Sequence, residues 1–214
     1  MNRSEPFVIT VSREIGSGGR SVAQMLAARL QVRFSDKYLV NSLVEKFHLS
    51  VPEIERIKGE KKNWLAGLID MVAPIPNSGA FIGFEQRLGE DWNRRVSSED
   101  VFKAECEILR ELASEGSCVV AGRTGFYVLR DFPNRLDVFI RAPRADRVQH
   151  VMRKQGIDAE QAGEIIYSVD ESRENYVKQY TGRSRYDLRN YDLVINMDGI
   201  TEEEAVDLIL QYIR

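Results

Sequence analysis

Histidine and cysteine are scarce in this chain of 214 residues, at two each. His48 and His150 have no partner at helical spacing, which argues against a histidine metal site or a histidine general base. Cys106 and Cys118 match no metal-ligand spacing and no disulfide framework, so they fit a reducing cytoplasm. A long hydrophobic run is lacking too. The least polar stretch, about residues 64–84, is broken by Asp70, Pro74, Pro76 and Asn77 and is not expected to span a bilayer. MNRSEP leads straight into strand-like text, so no secretory leader is expected. Nor is there an excess of positive charge. Lys and Arg number 30 against 33 Asp and Glu, a net charge of −3, which provides no general drive toward nucleic acid or an anionic membrane. Any anion the protein binds must be held by a local cluster.

What is present alternates between strand and helix. Phe7 to Val11, Ser117 to Ala121, Leu136 to Ile140 and Asp192 to Asn196 are short apolar runs rich in β-branched residues, and Phe34 marks a further short strand. Between them, Gly19 to Leu30 carries Val22, Met25, Leu26 and Leu30 on one helical face. Helices are also predicted over 36–47, from a capping box at Ser50 to Glu53, over 99–113, after Pro143, over 158–176, and after a cap at Thr201 whose Ala205, Leu208, Ile209 and Tyr212 should pack inward. Short buried strands alternating with helices imply an α/β chain with a parallel sheet covered on both faces. Residues 36–97 are mostly helical and look inserted between the second and third strands. The stripe Trp64, Leu65, Leu68, Ile69 and Val72 reads as core, with a homodimer contact or packing of the inserted segment as the sharper alternative.

The first strand is followed by SREIGSGGRS, residues 12–21. Glycines there let main-chain N–H groups curl around an anion, and the following helix adds its positive end. Yet the lysine of the phosphate-loop pattern G-x-x-x-x-G-K-[ST] is missing. Two registers are open. With Gly18 as the last motif glycine, Gly19 stands in the lysine position. With Gly19 as that glycine, Arg20 replaces lysine and Ser21 supplies the magnesium-side hydroxyl. The second register keeps a cation and a hydroxyl and is the preferred expectation, with Gly16, Ser17, Gly18, Gly19, Arg20 and Ser21 as the cradle. A glycine-rich turn that merely caps a helix is the bland alternative. Glu14 is awkward beside a polyphosphate unless Arg13 pairs with it or it helps hold a metal.

Taken in order, VITVSREIGSGGRS, FSDKYL, EGSCVVAGRTGFYVLRDFPNRLDVFIRAP, VDESR and YDLVIN resemble the bacterial cytidylate kinases, most of all their divergent cytidylate kinase-like branch. The resemblance implies a three-layer P-loop kinase fold in a single domain, 1–214, on a five-stranded parallel sheet. Residues 36–97 would be a helical acceptor-binding insertion and about 155–190 a lid. It also implies transfer of the γ-phosphoryl group of ATP to CMP or dCMP with Mg2+. Small nucleotides are then the partners, with no nucleic acid or membrane, in the cytoplasm. Residue by residue, Arg123 would hold the acceptor phosphate, and Asp36 would open the acceptor segment. Asp170 would contact ribose and Arg173 would bridge the phosphates, with Arg20 and Ser21 serving the donor and its metal. Thr124, Lys37, Ser42 and Ile166 depart from the family pattern at acceptor and lid positions. Those departures keep two further readings open: a kinase for another small acceptor on this scaffold, and a non-catalytic nucleotide-binding module.

Side-chain chemistry alone assigns less to the other basic residues. Arg144 and Arg147 share a helical face that reads as solvated. Arg183, Arg185 and Arg189 lie in a polar segment expected to be mobile and able to close over phosphates. Tyr176 and Tyr180 are expected to pack.

Overall fold

The computed structural model describes residues 1–58, 96–122 and 124–213. Five strands form one sheet: β1 (Val8–Arg13), β2 (Arg33–Ser35), β3 (Cys118–Ala121), β4 (Arg135–Arg141) and β5 (Leu193–Asn196). They run in the order β2-β3-β1-β4-β5, with every pairing parallel. The helices are α1 (Gly19–Leu30), α2 (Lys37–Phe47), α3 (Val51–Ile57), α4 (Ser98–Ser114), α5 (Gly125–Val128), α6 (Arg144–Gln155), α7 (Ala159–Thr181) and α8 (Glu202–Tyr212).

The sheet is covered on both sides, which explains why β1 reads as an unbroken apolar run rather than an alternating one. Ile9 and Val11 face Val22 and Leu26 of α1 and Ile209 of α8. Val8 faces the other way, into a cluster with Val120, Leu39 and Leu43 of α2, and Leu109 of α4. Capping boxes open α3 at Ser50, α4 at Ser97, α7 at Asp158 and α8 at Thr201. Each is worth about 1 kcal/mol and sets where its helix begins.

Three expectations need correction. Helix α7 continues past Tyr176 to Thr181, where Gly182 at φ 68° ends it. In α8, Leu208 and Tyr212 are exposed, and Val206, Ile209 and Ile213 pack inward with Ala205. The segment around Arg185 is pinned: the Tyr191 hydroxyl donates to the Arg185 carbonyl at 2.7 Å and Asn190 to the Ser184 carbonyl at 2.8 Å. The Trp64 to Val72 stripe lies outside the described residues. Among those described, no helix is long and apolar enough to cross a membrane.

Candidate active site

Strand β1 lies at the centre of the sheet, flanked by β3 and β4. In open parallel sheets the crevice beyond the carboxyl ends of the central strands receives ligands. Here residues 14–18 occupy it. The loop is tied down by its own polar groups: Glu14 N–H donates to the Ile140 carbonyl at 3.1 Å, and the Ser17 hydroxyl donates to the Glu14 carbonyl at 2.8 Å. Gly19 N–H donates to Ser17 Oγ at 3.4 Å. Gly18 is left-handed at φ 78° and caps α1. Apart from that Ser17 contact no side chain caps the helix, and its first turn contains no acid. A Glu202 carboxylate oxygen, however, lies 2.8 Å from where a Gly18 Cβ would sit, so an anion drawn to the positive end of the helix dipole meets that carboxylate there. The helix thus starts at Gly19.

Beneath the loop, Asp170 of α7 gathers three arginines. Arg147 of α6 bonds to its Oδ2, Arg185 Nη1 donates to its Oδ1 at 3.4 Å, and Arg173 Nη1 stands 3.8 Å away. The same Oδ1 accepts Ile15 N–H of the loop at 3.2 Å. Arg147 uses its whole fork. Its Nε donates to the Ile15 carbonyl at 2.7 Å and its Nη1 pairs with Glu14 at 3.2 Å. Arg147 lies so close under the loop that a Cβ on Gly16 would sit 2.8 Å from its carbonyl oxygen. Arg173 and Arg185 also donate to the Arg13 carbonyl. The loop, α6, α7 and the 182–191 segment therefore form one charged assembly. Burial is the main cause that pushes the Tyr191 phenol, part of this packing, up to about 12.

On the other side of the loop Asp36 holds a second group. It occupies the N-cap position of α2 without capping it. Its carboxylate instead accepts from Arg20 Nε at 2.5 Å and lies 3.9 Å from Arg13 Nη2. Gly122 at the end of β3 and Thr124, itself left-handed at φ 55°, border this region. The Thr124 hydroxyl is buried with no hydrogen-bond partner among the described residues. Arg123 lies outside the described residues.

The structure thus brings Gly16, Ser17, Gly18, Gly19, Arg20, Ser21 and Asp36 together at the carboxyl end of β1, with Asp170 and Arg173 packed below. Asp170 is only 8% exposed and is surrounded by guanidinium groups. Arg147, 6% exposed, is not on a solvated face, and Arg185, 4% exposed, is not mobile. The sequence names both Arg147 and Arg185 but places neither of them under the loop. The available signal was Glu14, an acid in an anion cradle that required a buried cation. Glu14 pairs with Arg147 and accepts the Ala142 N–H at 3.2 Å, which commits both its oxygens. Tyr176 and Tyr180 pack: the Tyr176 hydroxyl bonds to Glu105, and Tyr180 stacks on Phe102 at 4.4 Å.

A family model described as "Cytidylate kinase-like family" matches residues 8–199. The chain belongs to that family. Among curated relatives, the cytidylate kinase of Methanopyrus kandleri is 28% identical over 108 residues, 47% of this chain and 56% of that protein. The chain thus spans only about half of that relative, and 19% of a uronate isomerase from Corynebacterium glutamicum that it also matches. The cytidylate kinase of Sulfolobus acidocaldarius is 20% identical over 207 residues, 94% of this chain and 91% of that one. Among solved structures, an uncharacterized protein of Eubacterium ventriosum superposes with TM-score 0.67 at 23% identity, covering 97% of this chain and 98% of that one. A shikimate kinase of Bacteroides thetaiotaomicron does so with TM-score 0.55 at 15% identity, covering 97% and 98%. At such identities the structural likeness establishes the fold alone, that of the P-loop kinases.

Kinases of this fold use a nucleotide with Mg2+. The groups present suit such an ion. Ser21, half-buried in the first turn of α1, supplies a hydroxyl beside the cradle, whereas Ser17 within the loop donates to the Glu14 carbonyl; among the described residues there is no cluster of three acids, cysteines or histidines. Mg2+ keeps much of its water and takes its negative partners from phosphate, so a single hydroxyl beside an anion cradle fits it better than it would fit a caged ion.

Proposed function

We propose that the protein is an ATP-dependent nucleoside monophosphate kinase that moves the γ-phosphoryl group of ATP to CMP or dCMP. The observation that carries this reading is the juxtaposition at the end of β1. An anion cradle at the amino end of α1 lies between two arginine groups, one held by Asp170 and one by Asp36. Phosphoryl transfer needs in-line placement and charge neutralisation more than covalent chemistry from the protein. An acceptor phosphate is already nucleophilic, so the scarcity of histidine is no obstacle.

In this reading the main-chain amides of residues 16–21 hold the donor phosphates, and Ser21, one residue beyond the pattern's hydroxyl position when Gly19 takes the place of lysine, offers its hydroxyl to the magnesium that they bring. Arg123 and Asp36 belong to the acceptor side. Arg20, held by Asp36, sets the charge there. Arg173 reaches from α7 toward the join between donor and acceptor. Asp170 fixes these arginines, and the ribose contact that the family pattern implies for it requires the arginine cluster to rearrange when nucleotide binds.

The test is turnover by the purified protein with ATP, Mg2+ and a panel of nucleoside monophosphates. ADP release with CMP or dCMP is the expected result. The Thr124 hydroxyl, buried without a hydrogen-bond partner among the described residues, favours a second acceptor class on the same scaffold, since it is a hydrogen-bonding group left available beside Gly122 at the end of β3. ADP release only with a different small acceptor would establish that reading. ATP binding without transfer to any acceptor would leave a nucleotide-binding module and reject both.

A further inference from the structure

We propose that Arg13, the last residue of β1, supplies the positive charge that a lysine at the head of α1 would otherwise carry, and that its guanidinium meets phosphate at the border between donor and acceptor. The proposal deepens the kinase reading and rests on it.

The first observation is steric. Gly19 directly follows the left-handed glycine that closes the loop, which is the place of lysine in the phosphate-loop pattern. Gly19 is not among the positive-φ glycines, so its backbone conformation does not require glycine. Its surroundings do. A Cβ there would lie 2.7 Å from Cβ of Arg13 and 3.1 Å from Cβ of Ile140. Both atoms are stems on paired strands in direct register, and neither can turn aside as a side-chain tip could. A lysine stem has no exit from this position, because Arg13 already fills it.

The second observation concerns where Arg13 goes. Its Cγ is still only 3.3 Å from the Gly19 Cβ position, and its Nη1 lies across Gly122 at the end of β3, where a Cβ would fall inside the guanidinium. Gly122 is glycine on account of its φ of 75°, and the Arg13 head uses the room it leaves, whereas Gly19 is kept bare by the Arg13 stem itself. The stem starts at the cradle and the head ends on the acceptor side, 3.9 Å from Asp36. The side chain retains 16% exposure, so a ligand can reach it. A guanidinium in that position can bond to two phosphate oxygens at once, which an ammonium cannot do. Asp36 is its partner here, and phosphate is the natural exchange for a carboxylate.

The main chain of Arg13 adds a third link. Its carbonyl accepts from Arg173 and Arg185, so the residue that carries the cation also anchors the arginines of the helix behind the loop. Arg20, in contrast, is held by Asp36 and is the more exposed of the two.

The experiment compares wild type with Arg13→Met, which keeps the stem and removes the charge, and with Gly19→Lys and the double variant Arg13→Ala/Gly19→Lys. Calorimetry reads MgATP affinity, steady-state kinetics read ADP release with CMP, and thermal unfolding reads integrity. Arg13→Met should lower kcat by roughly 10³-fold or more, the low side of what a transition-state arginine supplies. It should also weaken MgATP binding several-fold, with little change in Tm. Gly19→Lys alone should lower Tm. The double variant, in which the room has been freed, should fold and recover part of the lost rate. Wild-type kcat and Kd in Arg13→Met would overturn the proposal, as would a Gly19→Lys protein of undiminished Tm or a folded double variant with no recovery. If wild type itself neither binds MgATP nor releases ADP with any acceptor, the kinase reading fails and this proposal goes with it. If wild type is active and Arg13→Met equals it, only this proposal fails.

Discussion

Two aspartates collect arginines on opposite sides of the loop, and they do it differently. Asp170 sits under the loop with Arg147 and Arg185 almost fully buried, and it also receives a main-chain amide of the loop. Asp36 stands at the head of α2 with Arg20, whose side chain is 33% exposed, and with Arg13 at a longer 3.9 Å. In the first group Arg147 and Arg185 are committed to protein, and Arg173, 23% exposed, is the member that solvent reaches. The second has partners that solvent can reach and that phosphate can replace. The lesson is that charge density alone does not mark where a substrate goes. The buried group builds the cradle, and the accessible group is the one equipped to exchange ligands.

The sharpest way to break that contrast is Asp170→Ala. It would leave Arg147 buried with Glu14 as its partner carboxylate and Arg185 buried without the carboxylate it pairs with, and it would release the Ile15 amide. Removing one partner of a buried charged group costs about 3–5 kcal/mol, so urea unfolding at neutral pH should show a loss of that order. MgATP affinity should fall with it, because the loop loses its floor. A variant as stable as wild type would mean that Asp170 is not the keystone of the lower group.

Arg20→Ala should act in the opposite sense. A partly exposed pair is worth about 0–1 kcal/mol, so unfolding should change within that range. The acceptor KM should rise several-fold while MgATP affinity stays near wild type. Should Arg20→Ala destabilise the fold as much as Asp170→Ala does, the two groups are not different in kind. Should it abolish MgATP binding, Arg20 belongs to the donor cradle after all, as the alternative register would have it.

How much of this was legible beforehand follows the range of the interactions. Strands such as CVVA and LVIN, and caps such as Ser50 with Glu53, are written in neighbouring residues, and the structure places them within a residue or two of expectation. The cradle is legible for the same reason, since strand, glycines and helix follow one another directly. The Asp170 group is not. Its members come from positions 14, 147, 170 and 185, and an arginine such as Arg147 on a polar helix has the same local text whether it is solvated or buried. Gly19 is a related case: a glycine kept for room rather than for φ carries no local sign of its reason. Only the pairing of Arg13 with Ile140 across β1 and β4 reveals it.

A third carboxylate completes the comparison. Asp137 in β4 is only 2% exposed and has fewer charged neighbours than Asp170. Thr10 donates to it at 2.6 Å and Arg135 at 2.8 Å, and the Arg135 side chain is one-third exposed. Burial is the largest influence and raises its pKa; the bonds to Thr10 and Arg135 work against that, and Asp192 adds to it. The folded protein therefore holds this proton above the unfolded-state pKa of about 3.9. Stability from that proton is complete below that pH and is lost as pH rises through the folded-state value, at no more than about 1.4 kcal/mol per pH unit. Asp137→Asn removes the titration while leaving an oxygen to accept from Thr10. Urea midpoints taken from about pH 3.5 to 6 should then show the variant gaining on wild type as pH rises, the smallest of the effects described. Parallel curves would mean that Thr10 and Arg135 compensate the buried charge fully, and that two partners serve Asp137 as well as three arginines serve Asp170.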